Sequence, residues 1–222
     1  MSIDTIALRK ALHLFYLKDS IRSTKLKREA KDELARRSGQ KSLARHFHYP
    51  FWADAKSHAA GKSDLTESTD RQIERDWHRK NLYPKLRDGF LHWWNETRRW
   101  INEDIEEFPN SISGTCGFAD IEGIVRVDNL MSLKVGTDKT RLIYPYFSDR
   151  PNLSEEAARI GLWAMSKALP NHGIDDMRIL DVIRGETFSV DRHPLQGDEE
   201  AIFRHRYSSV LREWRLLLSE LG

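Results

Sequence analysis

The chain has 222 residues and a mass of 26.0 kDa, enough for one large domain with a real buried core. Charged residues make up 32% and hydrophobic ones 39%; seven tryptophans argue against a disordered chain, and a single cysteine, Cys116, excludes an internal disulfide framework or a multi-cysteine zinc site. The net charge of +2 is unevenly placed: residues 1–50 hold twelve Lys and Arg against five Asp and Glu, leaving 24 basic side chains facing 29 acidic ones in the remainder.

Residues 1–84 read as a basic helical region. Asp4 is placed to cap a segment whose Ile6, Leu8, Leu12, Phe15 and Tyr16 recur at helical spacing, continuing through Leu26, Ala30 and Leu34 to a stop at Gly39. No long apolar run opens the chain, so neither a signal peptide nor a membrane span is expected and a cytoplasmic location is the default. Arg9, Lys10, Lys25, Lys27, Arg28, Lys31, Arg36, Arg37 and Arg45 give the clustering that nucleic-acid phosphate contact requires, although such runs are also common on solvated helix faces. The stretch KSLARHFHYPFWADAKSHAAGKSD has no clean period and reads as a connection with room for a short helix; His46, His48 and His58 lack flanking ligands at familiar spacing, so no metal site is expected there. TESTDRQIERDWHRKNLYP reads as a helix to Tyr83, with Pro84 disfavouring continuation.

Residues 85–222 read as an α/β (α+β) domain. Leu86, Phe90, Trp93, Trp94, Thr97, Trp100, Ile101 and Ile105 line one face of a helix, a stripe better suited to core than to stacking bases. From Gly114 branched and aromatic residues with partial alternation predict two or three antiparallel strands, turning at GTDK. Pro145 removes a ladder donor, which predicts that the strand over 141–147 is an edge or bulges there. Ser154 is placed to cap a helix with Glu155 and Glu156 in its first turn, Lys167 near its end and Pro170 beyond it. MRILDVIRGETFSV reads as a strand pair turning at Arg184, Gly185 and Glu186. Asp198 then opens a helix with the stripe Phe203, Tyr207, Val210, Leu211, Trp214, Leu217, Leu218 and Leu221. The expected architecture is a mixed sheet flanked by helices and preceded by a helical N-terminal region.

The order of elements from Glu103 to Val190 resembles that of the restriction-endonuclease-like PD-(D/E)XK superfamily, especially its RecB-like branch. There a hairpin carries an Asp and the next strand carries D/E-x-K. On that resemblance Asp128 in VRVDNLM takes the place of the hairpin Asp, and Glu103, Glu106 or Glu107 that of an acid on the preceding helix. Tyr144, Pro145 and Tyr146 stand where D/E-x-K belongs. Phosphodiester hydrolysis needs carboxylates to hold Mg²⁺ and a lysine near the attacking water. With that departure, the resemblance implies a degenerate nuclease-like core without catalysis, cofactor or metal. RLIYPYFSD and ILDVIRGETFSV are also similar to stretches of uncharacterised bacterial proteins, a likeness that brings no activity with it.

An active variant of the fold would need a migrated site: Asp128, Glu122 and Lys134 as catalytic residues with Mg²⁺, and Lys139 and Asp120 as further candidates. Asp120, Glu122 and Asp128 share parity, so an unbroken strand would put them on one face. Acidic residues on the solvent face of a hairpin are the commoner explanation. Cys116 in SGTCGF has no base indicated beside it. Phosphate-cradling, dinucleotide and G-x-S-x-G motifs are all missing from the sequence. The leading expectation is a nucleic-acid-binding or assembly protein. Its first alternative is a protein-binding subunit of a multi-protein complex, such as one in defence, which docks a partner or second copy through an exposed IYPYF edge and aromatic helices. The other is an active Mg²⁺-dependent nuclease.

Overall fold

The structure, a computed structural model, describes residues 2–40, 47–100, 105–107, 111–136 and 139–222, with backbone alone at 97–100 and 105–107. A short strand, β1 (Thr5–Ala7), leads into helices α1 (Leu8–Phe15), α2 (Asp19–Arg37), α3 (Tyr49–Ala59), α4 (Leu65–Arg75) and α5 (Tyr83–Trp100). Strands β2 (Ile105–Glu107), β3 (Gly114–Phe118), β4 (Gly123–Val127), β5 (Met131–Val135) and β6 (Lys139–Tyr146) follow. Helix α6 (Glu155–Ala168), strands β7 (Met177–Asp181) and β8 (Glu186–Phe188) and helix α7 (Glu199–Leu221) complete the chain. The expected mixed α/β class is what forms. The strands divide between two mixed sheets rather than one, ordered β1-β4-β3 and β2-β5-β6-β7-β8.

The larger sheet is covered on both faces. Along β6, Leu142, Tyr144 and Tyr146 point into one core with α1, α6, α7 and the smaller sheet. Ile143 and Phe147 point into a second core with Phe51, Trp52, Phe90, Trp93 and Trp94 from α3 and α5. This period-two split explains why the IYPYF run is apolar throughout. It also corrects two expectations. The strand over 141–147 is interior, paired with β5 on one side and β7 on the other, and its large side chains are buried, so no exposed IYPYF edge is available to a partner. Pro145 is tolerated because Tyr146 turns its carbonyl to β7, accepting from the Val182 N–H at 2.9 Å, so the proline faces the other way. There β5 begins only at Met131, opposite Ile143, and no ladder bond is lost.

The N-terminal expectation also needs correction. Thr5–Ala7 is a strand that pairs in parallel with β4, and Asp4 precedes it, its carbonyl accepting from the Ile124 N–H at 2.7 Å instead of capping a helix. The helical pattern then breaks into two at residues 16–18. The predicted helix to Tyr83 ends at Arg75, where a tight turn over Trp77–Asn81 leads to α5, which takes Pro84 in its first turn. The basic region is therefore not wholly helical, and Ile3, Leu12, Leu26 and Ala30 share a core with Val125, Ile160 and Trp214. The stripe of Leu86, Phe90, Trp93 and Trp94 is buried as expected, while the side chains of Thr97, Trp100, Ile101 and Ile105 lie outside the described residues. Helices α6 and α7 and strands β7 and β8 form where the sequence places them, with Ser154 Oγ accepting from the Ala157 N–H at 3.2 Å, while Asp198 opens α7 without a side-chain cap bond. No described helix is long and apolar enough to cross a membrane.

Candidate functional site

Where β4 and β6 end, the chain passes beside α1, α2 and the turn into α3, and these elements bring basic and imidazole groups together. Ser148, just past β6, holds its Oγ 2.7 Å from His13 Nδ1 on α1. The other ring nitrogen, His13 Nε2, lies 2.5 Å from Lys25 Nζ on α2. His48, ahead of α3, stacks on Phe147 with ring centroids 4.8 Å apart and planes 10° from parallel. Arg9 donates its backbone N–H to the Tyr144 hydroxyl at 2.9 Å and sends its guanidinium to Asp128, 3.4 Å away. Arg126 reaches the other oxygen of Asp128, also at 3.4 Å. Beside it, Asn129 adopts a φ of 61°, accepting at its carbonyl from Trp52 Nε1 and at Oδ1 from Lys56 Nζ.

The electrostatics of this cluster are one-sided. Burial pushes the His13 pKa down to about 4, helped by Lys25 and His48. Burial does the same to His48, also to about 4, with Arg9 and Lys25 adding to it. Lys25 is itself lowered, first by burial and then by Arg28, with Lys10 adding to the repulsion and Glu29 partly opposing it. Among the described residues no carboxylate lies within ion-pair distance of His13, Lys25 or His48. With Lys25 as an ammonium, His13 Nε2 must accept, so the ring proton sits on Nδ1 and is donated to Ser148 Oγ. Ser148 is then a hydrogen-bond acceptor and gains no base; the arrangement offers donors, not a nucleophile.

The sequence-derived residues scatter around this centre. Arg9 and Lys25 belong to it, and Lys10 pairs with Glu29 at 2.7 Å. Lys27, Arg28 and Lys31 stand exposed on α2 without an ion pair among the described residues, whereas Arg36 and Arg37 both pair with Glu33. Arg45, His46 and Glu103 lie outside the described residues. His58 is absorbed into the link between α3 and α4, its Nδ1 lying 3.1 Å from the Ser63 carbonyl oxygen and 3.3 Å from the Leu65 backbone nitrogen. Cys116 is buried and burial raises its thiol pKa, which opposes nucleophilic use.

Of the migrated nuclease site, Asp128 alone sits in the cluster. The parity argument fails: Asp120 lies in a tight turn and meets Arg204 at 2.5 Å, and Glu122 follows with a left-handed φ of 52°, so no unbroken strand joins them to Asp128. Glu122 and Asp128 are separated by the whole of β4, on the order of 20 Å at strand rise, and Glu122 instead faces Arg215. Lys134 is in the other sheet, opposite Thr140 on β6 and Glu106 on β2, and Lys139 opens β6. Glu106 and Glu107 are in strand β2, not a helix. Among the described residues, no three of His, Cys, Asp and Glu gather as metal ligands do.

A second concave feature, a groove of about 610 Å³ beside β5–β8, is lined by Trp93, Arg141, Arg178 and His193 among others. Two of its arginines are already matched, Arg141 with Asp176 at 3.0 Å and Arg178 with Asp191 at 3.5 Å, while Arg192 lines it without an ion pair among the described residues. The cluster around His13 is what sequence reasoning missed. Its members come from five places in the chain, with Ser148 and His13 135 residues apart, and nothing local marks any of them. Neither a protein-family model nor a curated protein matches this chain.

Proposed function

We propose that the chain is a non-catalytic nucleic-acid-binding protein, which holds the phosphate backbone along a basic seam from the exposed face of α2 to the ends of β4 and β6. The observation that carries this reading is that Lys27, Arg28 and Lys31 are exposed and free of ion pairs among the described residues, and that Arg28 adjoins Lys25, which leads inward to Arg9. Among the described residues Lys10, Arg22, Arg36 and Arg37 are each neutralised by a nearby carboxylate, which leaves the exposed face of α2 as the surplus. Phosphate contact needs such a surplus, because its free energy comes largely from counterions released by unpaired Lys and Arg. The separation of Asp128, Glu122 and Lys134 supports binding without hydrolysis.

The test is a titration with labelled single- and double-stranded DNA and RNA at two salt concentrations, with and without Mg²⁺. If three or four phosphates of a duplex are neutralised, a fourfold rise in salt weakens binding by about 40- to 150-fold. The triple reversal Lys27→Glu, Arg28→Glu, Lys31→Glu lowers affinity at least tenfold or so and flattens that salt dependence. Unchanged affinity in the variant would refute the seam. Metal-dependent cleavage that Asp128→Ala abolishes would replace a binding protein with a nuclease.

A further inference from the structure

The cluster at the end of β6 is not explained by holding the fold together. Buried imidazoles normally meet a carboxylate or a carbonyl. Here His13 is placed between an ammonium and a hydroxyl, with a second imidazole and a guanidinium alongside. The charged neighbours are known from each side. His13 faces Lys25 of α2, His48 ahead of α3 and Ser148 after β6; His48 faces Arg9 of α1 and Lys25, and lies on Phe147. Lys25 in turn feels Arg28, Glu29 and Lys10. Two carboxylates act on the group: Asp128 is shared between Arg9 and Arg126, and Glu29, which acts on Lys25, is paired with Lys10.

Three kinds of chemistry can use two imidazoles, an ammonium and a serine. Nucleophilic catalysis fails because, with Lys25 an ammonium, Ser148 Oγ accepts a hydrogen bond from His13 and has no base. A metal ion fails because Lys25 and Arg9 would repel it and no carboxylate completes a ligand set among the described residues. An oxyanion remains: it would accept from Lys25 and Arg9, and each imidazole would gain a favourable partner by taking up a proton.

We propose that Arg9, His13, Lys25, His48 and Ser148 form a binding site for a tetrahedral phosphate-type oxyanion, supplied either by a nucleic-acid strand or as free phosphate. The site itself stands on the cluster's geometry; only the strand as its source rests on the nucleic-acid reading above. Empty, the site keeps both histidines neutral, with midpoints near 4. Filled, it binds protons together with the anion, so affinity rises as pH falls.

The experiment follows ring-labelled histidine by NMR in the full chain, with inorganic phosphate and with sulfate, against chloride at matched ionic strength. Sulfate keeps its charge across the range and isolates the protein's own titration. Both midpoints are expected to rise by about two pH units on saturation, and sulfate to bind about tenfold tighter near pH 5.5 than near pH 7.5. Midpoints that neither anion moves would overturn the site. Lys25→Met is expected to abolish the response; if it does not fold, the titration of the unaltered chain decides alone. A 5′-phosphorylated oligonucleotide binding at least about tenfold tighter than its hydroxyl-ended counterpart identifies a strand end as the source. Equal binding of the two that still raises both histidine midpoints identifies an internal backbone phosphate as the source, and equal binding that leaves them where they were, with the inorganic anion response intact, supports the site with free phosphate as its source. An anion response without any oligonucleotide binding keeps the site and refutes the nucleic-acid reading. Salt-sensitive oligonucleotide binding with both midpoints unmoved does the reverse.

Discussion

Glu199, at the first turn of α7, is a carboxylate held almost entirely out of water, at 2% exposure. It accepts from the backbone N–H groups of Gln196 at 2.7 Å and Gly197 at 3.0 Å, and from Arg159 Nη1 at 2.5 Å. Burial works to raise its pKa, but those backbone donors and the Arg159 guanidinium outweigh it and hold the group below the usual range. A carboxyl whose folded value lies below its unfolded one stabilises the protein above the unfolded value, near 4.3 for Glu, and loses that contribution as pH falls through the folded value. Glu199→Gln is therefore expected to cost about 2 kcal/mol near neutral pH and to lose less stability than the parent on acidification. Urea unfolding of both proteins at neutral pH and below pH 4 checks this; parallel acid limbs would show that Glu199 is not the group titrating.

At the scale of elements, the turn between β7 and β8 is seated on α5 by backbone contact. A Cβ on Gly89 would lie 2.2 Å from the Val182 carbonyl oxygen and 2.3 Å from that of Ile183. Helix propensity alone says that Gly89→Ala gains close to 1 kcal/mol. The contact reverses the sign, since neither carbonyl can move without lifting the sheet from the helix, and a loss of about 2 kcal/mol or more is expected. A chemical denaturation midpoint that rises in Gly89→Ala would disprove the close approach. Nothing in the sequence marks Gly89 as special, because the partner carbonyls arrive from residues far along the chain. By contrast α6 was legible throughout: its cap at Ser154, its acidic first turn and its stop before Pro170 are all local. Strand β1 was not, because three residues of apolar spacing fit a helix as well as a strand until β4 supplies a partner. The candidate site was half legible. Charge excess in residues 1–50 pointed to Arg9 and Lys25, but convergence on His13, His48 and Ser148 depends on which strand ends meet.

The whole molecule ties its first forty residues into the same core as its last twenty. β1 extends the smaller sheet, α2 packs along α7, and Tyr207 of α7 donates its hydroxyl to the Ile3 carbonyl at 2.9 Å. Arg206 holds the Phe15 carbonyl at 3.1 Å, and Gly161 of α6 leaves room for Leu12, which a Cβ there would meet at 3.0 Å. Ile3, Ile6, Leu8, Leu12, Leu14, Leu26 and Ala30 are all buried by this packing. Removing residues 1–40 would uncover the inner faces of β4, α6 and α7 together, an apolar loss well beyond the few kcal/mol by which domains of this size are stable. The expected result is a fragment that binds a hydrophobic dye and melts without a cooperative transition, read by circular dichroism against the full chain. A fragment 41–222 that unfolds cooperatively at an unchanged temperature would mean that the basic segment is a separable arm. Because Arg9, His13 and Lys25 all lie within residues 1–40, the phosphate response of His48 is lost with that segment in either case, so the cooperativity of unfolding is what decides between a shared core and a separable arm.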